Sequence, residues 1–228
     1  MSEKLIENLR KFDTPTIINS LEILDSKFRT IGFTKEQLIC TDASLPPIVG
    51  YARTATIRAY NKIDPKIKRE RSLAYYKYVS SGIGPWVSVI QDIDQNPGFG
   101  AFWGEINSNI HKALGVFGTI TNGSVRDLDV LPNGFQILAG KIGPAHGYVH
   151  IEETGIPVKI FGMEVKHDDL LHADQHGAVV IPTELLDKLP KAIELMINRE
   201  KVILDACKRE DFNYHVLRQA IMKSAEIQ

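Results

Sequence analysis

Thr14 followed by Pro15 marks a helix start, and Ile17, Ile18, Leu21 and Leu24 then recur at helical spacing, so the first clear helix is predicted over 14–25. Seven stretches rich in Val, Ile, Thr and aromatic residues, bounded by Gly, Pro and Asn, read as strands: 48–60, 87–94, 116–121, 135–140, 148–152, 158–165 and 178–181. Helical patterns interrupt them at 68–80 and at 104–114. In the second, Ile106, Ile110, Ala113 and Leu114 form one apolar stripe that ends at Gly115. A short helix is expected to begin near Ser124, and the tail from Thr183 reads as helical, divided by Pro190 into 183–189 and 191–207. Strands and helices in this order, with the later strands crowded together, predict a mixed α/β fold of layered sheets flanked by helices. No repeat or linker breaks the pattern, so a single domain over 1–228 is expected.

Composition narrows the function classes. The 228 residues carry 27 Lys plus Arg against 28 Asp plus Glu, a net charge of -1, without the basic excess of a nucleic-acid binder. The densest basic run, Lys66 to Arg71, reads as a solvated helix face. Apolar runs such as 178–182 fall far short of the roughly 20 residues of a membrane span, and the first residues, MSEKLIENLRKFDTP, lack the apolar region of a secretory signal. Two distant cysteines, Cys40 and Cys207, are expected as free thiols in a reducing cytoplasm. A soluble protein that handles a small molecule or another protein is the expectation.

Three stretches carry candidate chemistry. In 92–105 (DIDQNPGFGAFWGE) a strand runs into a loop with Gly98, Gly100 and Gly104 before the helix that starts at Glu105. Such glycines allow close backbone approach, and the first-turn N–H groups at Glu105, Ile106 and Asn107 suit a carboxylate or phosphate. The spacing matches neither a P-loop nor a dinucleotide fingerprint. In 121–130 (TNGSVRDLDV), Ser124 and Asp127 stand in the relation of a helix cap, which leaves Arg126 unexplained. An Arg beside an Asp at a strand end offers a planar fork for a carboxylate and an oxygen ligand for Mg²⁺. Five of the seven histidines, His146, His150, His167, His172 and His176, lie close in sequence, but on strands and turns rather than a helix, so polar or surface roles are expected over a zinc site. Trp86 and Trp103 flank the glycine loop, where either could wall a pocket.

The blocks LRKFDTPTIINSLEIL, GAFWGEINSNIHKALGVFGTITNGSVRDLDVL, FQILAG and VKIFGMEVKHDDLLHADQHGAVVIP, in that order, resemble the RraA-like family, which includes the 4-hydroxy-4-methyl-2-oxoglutarate aldolases. The resemblance runs from about Leu9 to Pro182, and the tail from Thr183 matches only as helical. In those aldolases twenty residues separate an acid from an Arg-Asp pair, as they separate Glu105 from Arg126 and Asp127 here, with a further acid three positions after the Asp. That last place holds Val130, next to Asp129; Glu105 is one methylene longer than the usual Asp, and Asn19 stands where Asp is often found.

The resemblance implies a layered β/β/α swivelling-domain fold, assembled as a homotrimer or a dimer of trimers. It implies a metal-dependent pyruvate aldolase acting on a 4-hydroxy-2-oxo acid, with oxaloacetate decarboxylase activity through the same enolate. Asp127 would hold Mg²⁺ directly, with Mn²⁺ or another divalent ion as a substitute, and Glu105 would act on the ion through water. Arg126, the Ile106 and Asn107 N–H groups, Gly104 and Trp103 would form the substrate site. The base for the 4-hydroxyl proton is not assigned by the motif; a C-terminal acid from a neighbouring subunit, Glu194 or Glu200, is a candidate. The alternative implied by the same family is an RraA-type regulator that binds a ribonuclease without catalysis.

Overall fold

Near-continuous apolar runs such as IVGYARTATIR belong to strands covered on both faces, and the computed structural model, which describes residues 3–227, builds its larger unit around them. In chain order the elements are α1 (Glu3–Leu9), α2 (Thr14–Leu24), β1 (Ile39–Cys40), β2 (Ile48–Arg58), α3 (Pro65–Val79), β3 (Trp86–Asp92), α4 (Glu105–Ala113), β4 (Val116–Thr121) and β5 (Ser124–Val125). They continue with β6 (Gln136–Ala139), β7 (Lys141–Ile142), β8 (His150–Thr154), β9 (Val158–Ile160), β10 (Met163–Val165), β11 (Leu170–Asp174), β12 (Gly177–Ile181), α5 (Leu189–Cys207) and α6 (Tyr214–Glu226). The chain divides into two compact units. The larger takes the chain up to Thr14 and Thr30–Thr183, and the smaller takes Pro15–Arg29 and the chain from Glu184 onward.

The larger unit is a mixed α/β fold on an eight-stranded sheet in the order β1-β6-β4-β3-β2-β11-β12, with β8 also paired to β2. β2, β3, β4 and β6 run parallel, through two strand-helix-strand crossovers that use α3 and α4. Alternate residues of each strand serve opposite faces. Ile57, Ile90, Ile137 and Ala139 join Tyr75 and Val79 of α3 in one core layer, whereas Val87, Val89, Ile120 and Leu138 pack on the β9–β10 hairpin in the other. The expected strand over 158–165 is thus two short antiparallel strands, turned at Phe161 and Gly162, both with positive φ. β11 lies outside the stretches predicted as strands; it pairs with β2 and β12.

The short helix expected near Ser124 is absent. Ser124 and Val125 instead form β5, which pairs in parallel with β7, and only a single 3₁₀ turn follows at Leu128–Val130. In the smaller unit α5 begins at Leu189 and carries Pro190 in its first turn, where no N–H is needed, so Pro190 starts this helix rather than separating two. Asn213 caps α6 by accepting from His215 and Val216 N–H, and Arg199 on α5 donates to Ile227 O at 3.0 and 2.9 Å. No described helix is long and apolar enough to cross a membrane. Cys40 and Cys207 are both free.

A buried polar chain ties α4 to the sheet. His111 Nδ1 donates to Asn107 O at 2.6 Å, so Nε2 of the neutral ring accepts from Tyr75 Oη at 2.9 Å, and Tyr75 Oη also meets Ser88 Oγ at 2.9 Å. Burial lowers the His111 pKa to about 4, from an ordinary 6.5. Between those values the unfolded chain binds a proton that the folded chain refuses. Stability is therefore complete above pH 6.5 and falls as the pH drops toward 4, by on the order of 3 kcal/mol. Burial also lowers the His172 pKa, a contribution that wild type and His111→Gln share. Urea unfolding followed by tryptophan fluorescence is expected to show wild type losing more stability than His111→Gln between pH 6.5 and 4.5; equal losses would remove His111 as the cause.

Candidate active site

Parallel crossovers bring the loops that leave β3 and β4 to the same end of the sheet, where ligands of such folds bind. Three side chains, Asn122, Asp92 and Asp94, hold those loops through bonds to backbone groups. Asn122 at the end of β4 accepts from Asp92 N–H at 2.7 Å and donates to Asp92 O at 3.0 Å, so its amide continues the β3–β4 ladder. Asp92 then accepts from Asp94 and Gly98 N–H, while Asp94 accepts from Ala59 and Tyr60 N–H. Burial raises the Asp92 pKa. The glycines of this loop serve packing as well as approach: a Cβ on Gly100 would stand 2.5 Å from His146 O.

A backbone bridge between Trp103 and Val125, with Arg126 N–H donating to Trp103 O at 3.0 Å, sets the start of α4 beside the Arg-Asp pair. Asp127 lies in the left-handed region (φ 59°, ψ 39°), which Asp tolerates better than most residues. Its Oδ2 accepts the Glu105 N–H at 3.2 Å and lies 3.4 Å from Arg126 Nε. Asp127 therefore does cap a helix, but α4 across the loop instead of one begun by Ser124. The approach requires Gly104, because a Cβ there would stand 2.6 Å from Asp127 Oδ2. The Ile106 and Asn107 N–H groups belong to the first turn, where no helical carbonyl is available to them.

Gly104, Ile106, Asn107, Arg126 and Asp127 line one cleft of about 240 Å³. Glu105 does not line it; its side chain is exposed at the head of α4. Trp103 does not line it either. It is 1% exposed and packs on His111, Phe102 and Phe135, whereas Phe102 and Val149 line the cleft. Trp86 borders a separate hollow with Pro85 and Phe117.

The opposite wall was not anticipated. Lys68, Ser72 and Tyr76 on α3 face the cleft, so Lys68 is no mere member of a solvated face. Their i, i+4, i+8 spacing was the available signal, masked by the surrounding charges. Tyr76 Oη donates to Asn107 Oδ1 at 2.6 Å and Asn107 Nδ2 to Phe102 O at 2.6 Å, which braces α3 against α4; burial raises the Tyr76 pKa.

The histidines scatter. His146 and His150 line the cleft, His167 meets Tyr78 and Asp168, His172 is buried against Thr14 and Leu9 O, and His176 meets Asp174. Among the described residues no three His, Cys, Asp or Glu groups converge as a metal site. Glu194 and Glu200 are both exposed on α5 in the smaller unit.

Known proteins match this chain in sequence and in fold. A curated relative, protein DlpA of Legionella pneumophila, is 25% identical over 109 residues, 44% of this chain. The match takes in 17% of DlpA, and the chain spans less than two thirds of the curated relatives it matches. A crystal structure of an uncharacterized protein from Pseudomonas syringae superposes with a TM-score of 0.74 at 19% identity, covering 98% of this chain and 95% of that one. Streptomyces coelicolor RraAS2, described as an unusual member of the RNase ES inhibitor RraA protein family, superposes at 0.68 with 19% identity, covering 92% and 98%. Residues 14–180, which contain the whole Gly104-Arg126-Asp127 arrangement, match the RraA-like (Aldolase/RraA) family, and the chain belongs to that family.

Proposed function

We propose that the cleft binds a small 2-oxo acid and cleaves its C3–C4 bond, as a divalent-metal-dependent pyruvate aldolase that also decarboxylates oxaloacetate. The observation that carries this reading is the meeting of Arg126, Asp127 and the first turn of α4 in one small cleft. A substrate carboxylate would accept from the Ile106 and Asn107 N–H groups and from the Arg126 fork. Asp127 Oδ1, which no described residue hydrogen-bonds, is the ligand offered to the ion. A single carboxylate in an open cleft suits Mg²⁺, or Mn²⁺ in its place, because Mg²⁺ keeps most of its waters. Glu105, exposed beside it, would accept from those waters.

When bound, the ion would supply positive charge to the substrate's carbonyl side as the bond breaks. Arg126 would add a donor to the same oxyanion from a main chain fixed by the Arg126 N–H to Trp103 O bond. No lysine Schiff base is required. A trimer or dimer of trimers is the assembly expected with this activity.

One observation favours a second reading. Where the related aldolases carry an acid this chain has Val130, 53% exposed on the turn after Asp127, an apolar side chain suited to a protein contact. On that reading the chain would bind a ribonuclease, as the description of the Streptomyces neighbour suggests for its own family, and would turn nothing over.

A pyruvate-release assay over oxaloacetate and a panel of 4-hydroxy-2-oxo acids separates the two. Turnover is expected with Mg²⁺ and not with excess EDTA, and Asp127→Ala is expected to lower kcat/KM by about 100-fold or more. Full activity in either the variant or the chelated protein would exclude a metal-dependent lyase at Asp127, and no pyruvate from any substrate would exclude the lyase itself. Gly104→Ala tests the close approach independently: displacing the Asp127 carboxylate by a few tenths of an ångström or more should cost activity, up to about 100-fold for a 1 Å shift, with little change in Mg²⁺-free folding. An Ala variant with wild-type kinetics would show that this approach is not needed.

A further inference from the structure

We propose that His146 is the base that takes the 4-hydroxyl proton and returns it to C3; this rests on the lyase reading above. The ring's Nδ1 lies 2.7 Å from Gly147 O. A carbonyl only accepts, so Nδ1 carries the hydrogen, and Nε2 of the neutral ring presents its lone pair with no partner among the described residues.

The backbone that carries the ring is held on several sides. Gly100 packs against His146 O, Ala101 N–H donates to Ala145 O at 2.9 Å, Tyr148 N–H to Ala59 O at 2.8 Å and Val149 N–H to His146 O at 3.1 Å. His146 and Arg126 are the two residues common to the cleft and to an adjoining hollow walled by Tyr60, Phe99 and Tyr148. They stand at the junction. A substrate with its carboxylate on Arg126 and α4 therefore has a proton acceptor at the edge toward which the rest of its chain can extend.

The other polar groups of the cleft that could accept a proton are hydrogen-bonded within the protein or, in the case of Asp127 Oδ1, assigned to the ion. His150 uses Nδ1 on Tyr148 O and Nε2 on Glu152, both at 2.8 Å. Tyr76 Oη donates to Asn107, Ser72 Oγ donates to Lys68 O, and Asp127 Oδ2 already accepts from Glu105 N–H. Lys68 and Arg126, as cations, offer only donors. His146 Nε2 is thus the ring nitrogen left to accept a proton beside these charged neighbours.

In the step, Nε2 takes the hydroxyl proton, the C4–O bond becomes a carbonyl, and the C3–C4 bond breaks. Its electron pair passes to the C2 oxygen as the enolate forms. Nε2–H then gives the proton to C3, which leaves pyruvate, a carbonyl product and the neutral ring. Oxaloacetate has no such hydroxyl proton to remove, since its C3–C4 bond breaks with loss of CO₂. The two reactions therefore separate the base from the rest of the site.

The test compares both reactions in the full-length Mg²⁺-loaded protein. His146→Asn keeps a donor toward Gly147 O and removes the basic ring nitrogen. Its ratio of 4-hydroxy-2-oxo acid cleavage to oxaloacetate decarboxylation is expected to fall by about 100-fold, the usual scale of a lost general base, mainly through kcat. In His146→Ala, added imidazole is expected to restore part of the cleavage rate. Equal losses in the two reactions, or no rescue by imidazole, would overturn the proposal while leaving the lyase in place. No pyruvate from either substrate in wild type would overturn the lyase reading and this inference with it.

Discussion

The backbone pairing of Trp103 with Val125 is the contact on which the candidate site depends. Two segments that leave different strands meet there, and the Arg126 N–H to Trp103 O bond fixes their relative position. Everything in the next two residues follows from that closeness. Gly104 must lack a Cβ, and Asp127 must turn into the left-handed region so that its carboxylate reaches back to the Glu105 N–H. A β-branched side chain at 127 would resist that backbone conformation, whereas the short polar side chain of Asp accepts it.

The cleft then needs its two walls kept at a constant distance. α4 is tied to β3 through His111, Tyr75 and Ser88, and to α3 through Asn107 and Tyr76. These are buried or half-buried polar bonds, which gain strength in a low-dielectric interior and are costly if one member is lost. The neutrality of His111 is part of the design, since a protonated ring could not accept from Tyr75. Trp103 contributes by packing: with its ring against His111 and Phe135, it anchors the segment that carries Gly104 without touching the cleft.

Periodicity made much of the fold legible, because strands buried on both faces and helices with one apolar stripe leave strong local signals. Thr14–Leu24, Val116–Thr121 and Glu105–Ala113 appear close to where their patterns place them. The failures share a cause, which is pairing between residues distant in sequence. β11 reads LLHAD, and its buried His172 and Asp174 look like surface residues until Thr14 and Leu9 are brought against them. Ser124 and Asp127 have the spacing of a local cap, yet β7 and α4 claim them instead. At the site, Gly104, Ile106, Asn107, Arg126 and Asp127 were all legible from loop position and family pattern. Lys68, Tyr76 and His146 were not, because only the placing of α3 and of the 143–149 segment around the cleft reveals what they face.

The charges at the site also supply a reason why the proposed function would call for a cation. α4 spends one first-turn donor on the protein's own Asp127 carboxylate and leaves the Ile106 and Asn107 N–H groups for a ligand. A substrate carboxylate on those donors would lie close to a second negative charge. At a separation of roughly 4 Å the repulsion is about 4 kcal/mol with the effective dielectric near a protein surface, more than a helix N-terminus offsets. Arg126, 3.4 Å from Asp127 Oδ2, balances one of the two charges. The negative charge that develops on the substrate during bond cleavage makes the deficit larger, and a divalent ion held by Asp127 and the substrate together would remove it. On the proposed reading Asp127 would do more than bind the ion: by occupying part of the helix N-terminus it would make anion binding there weak in the ion's absence and would couple substrate affinity to the metal.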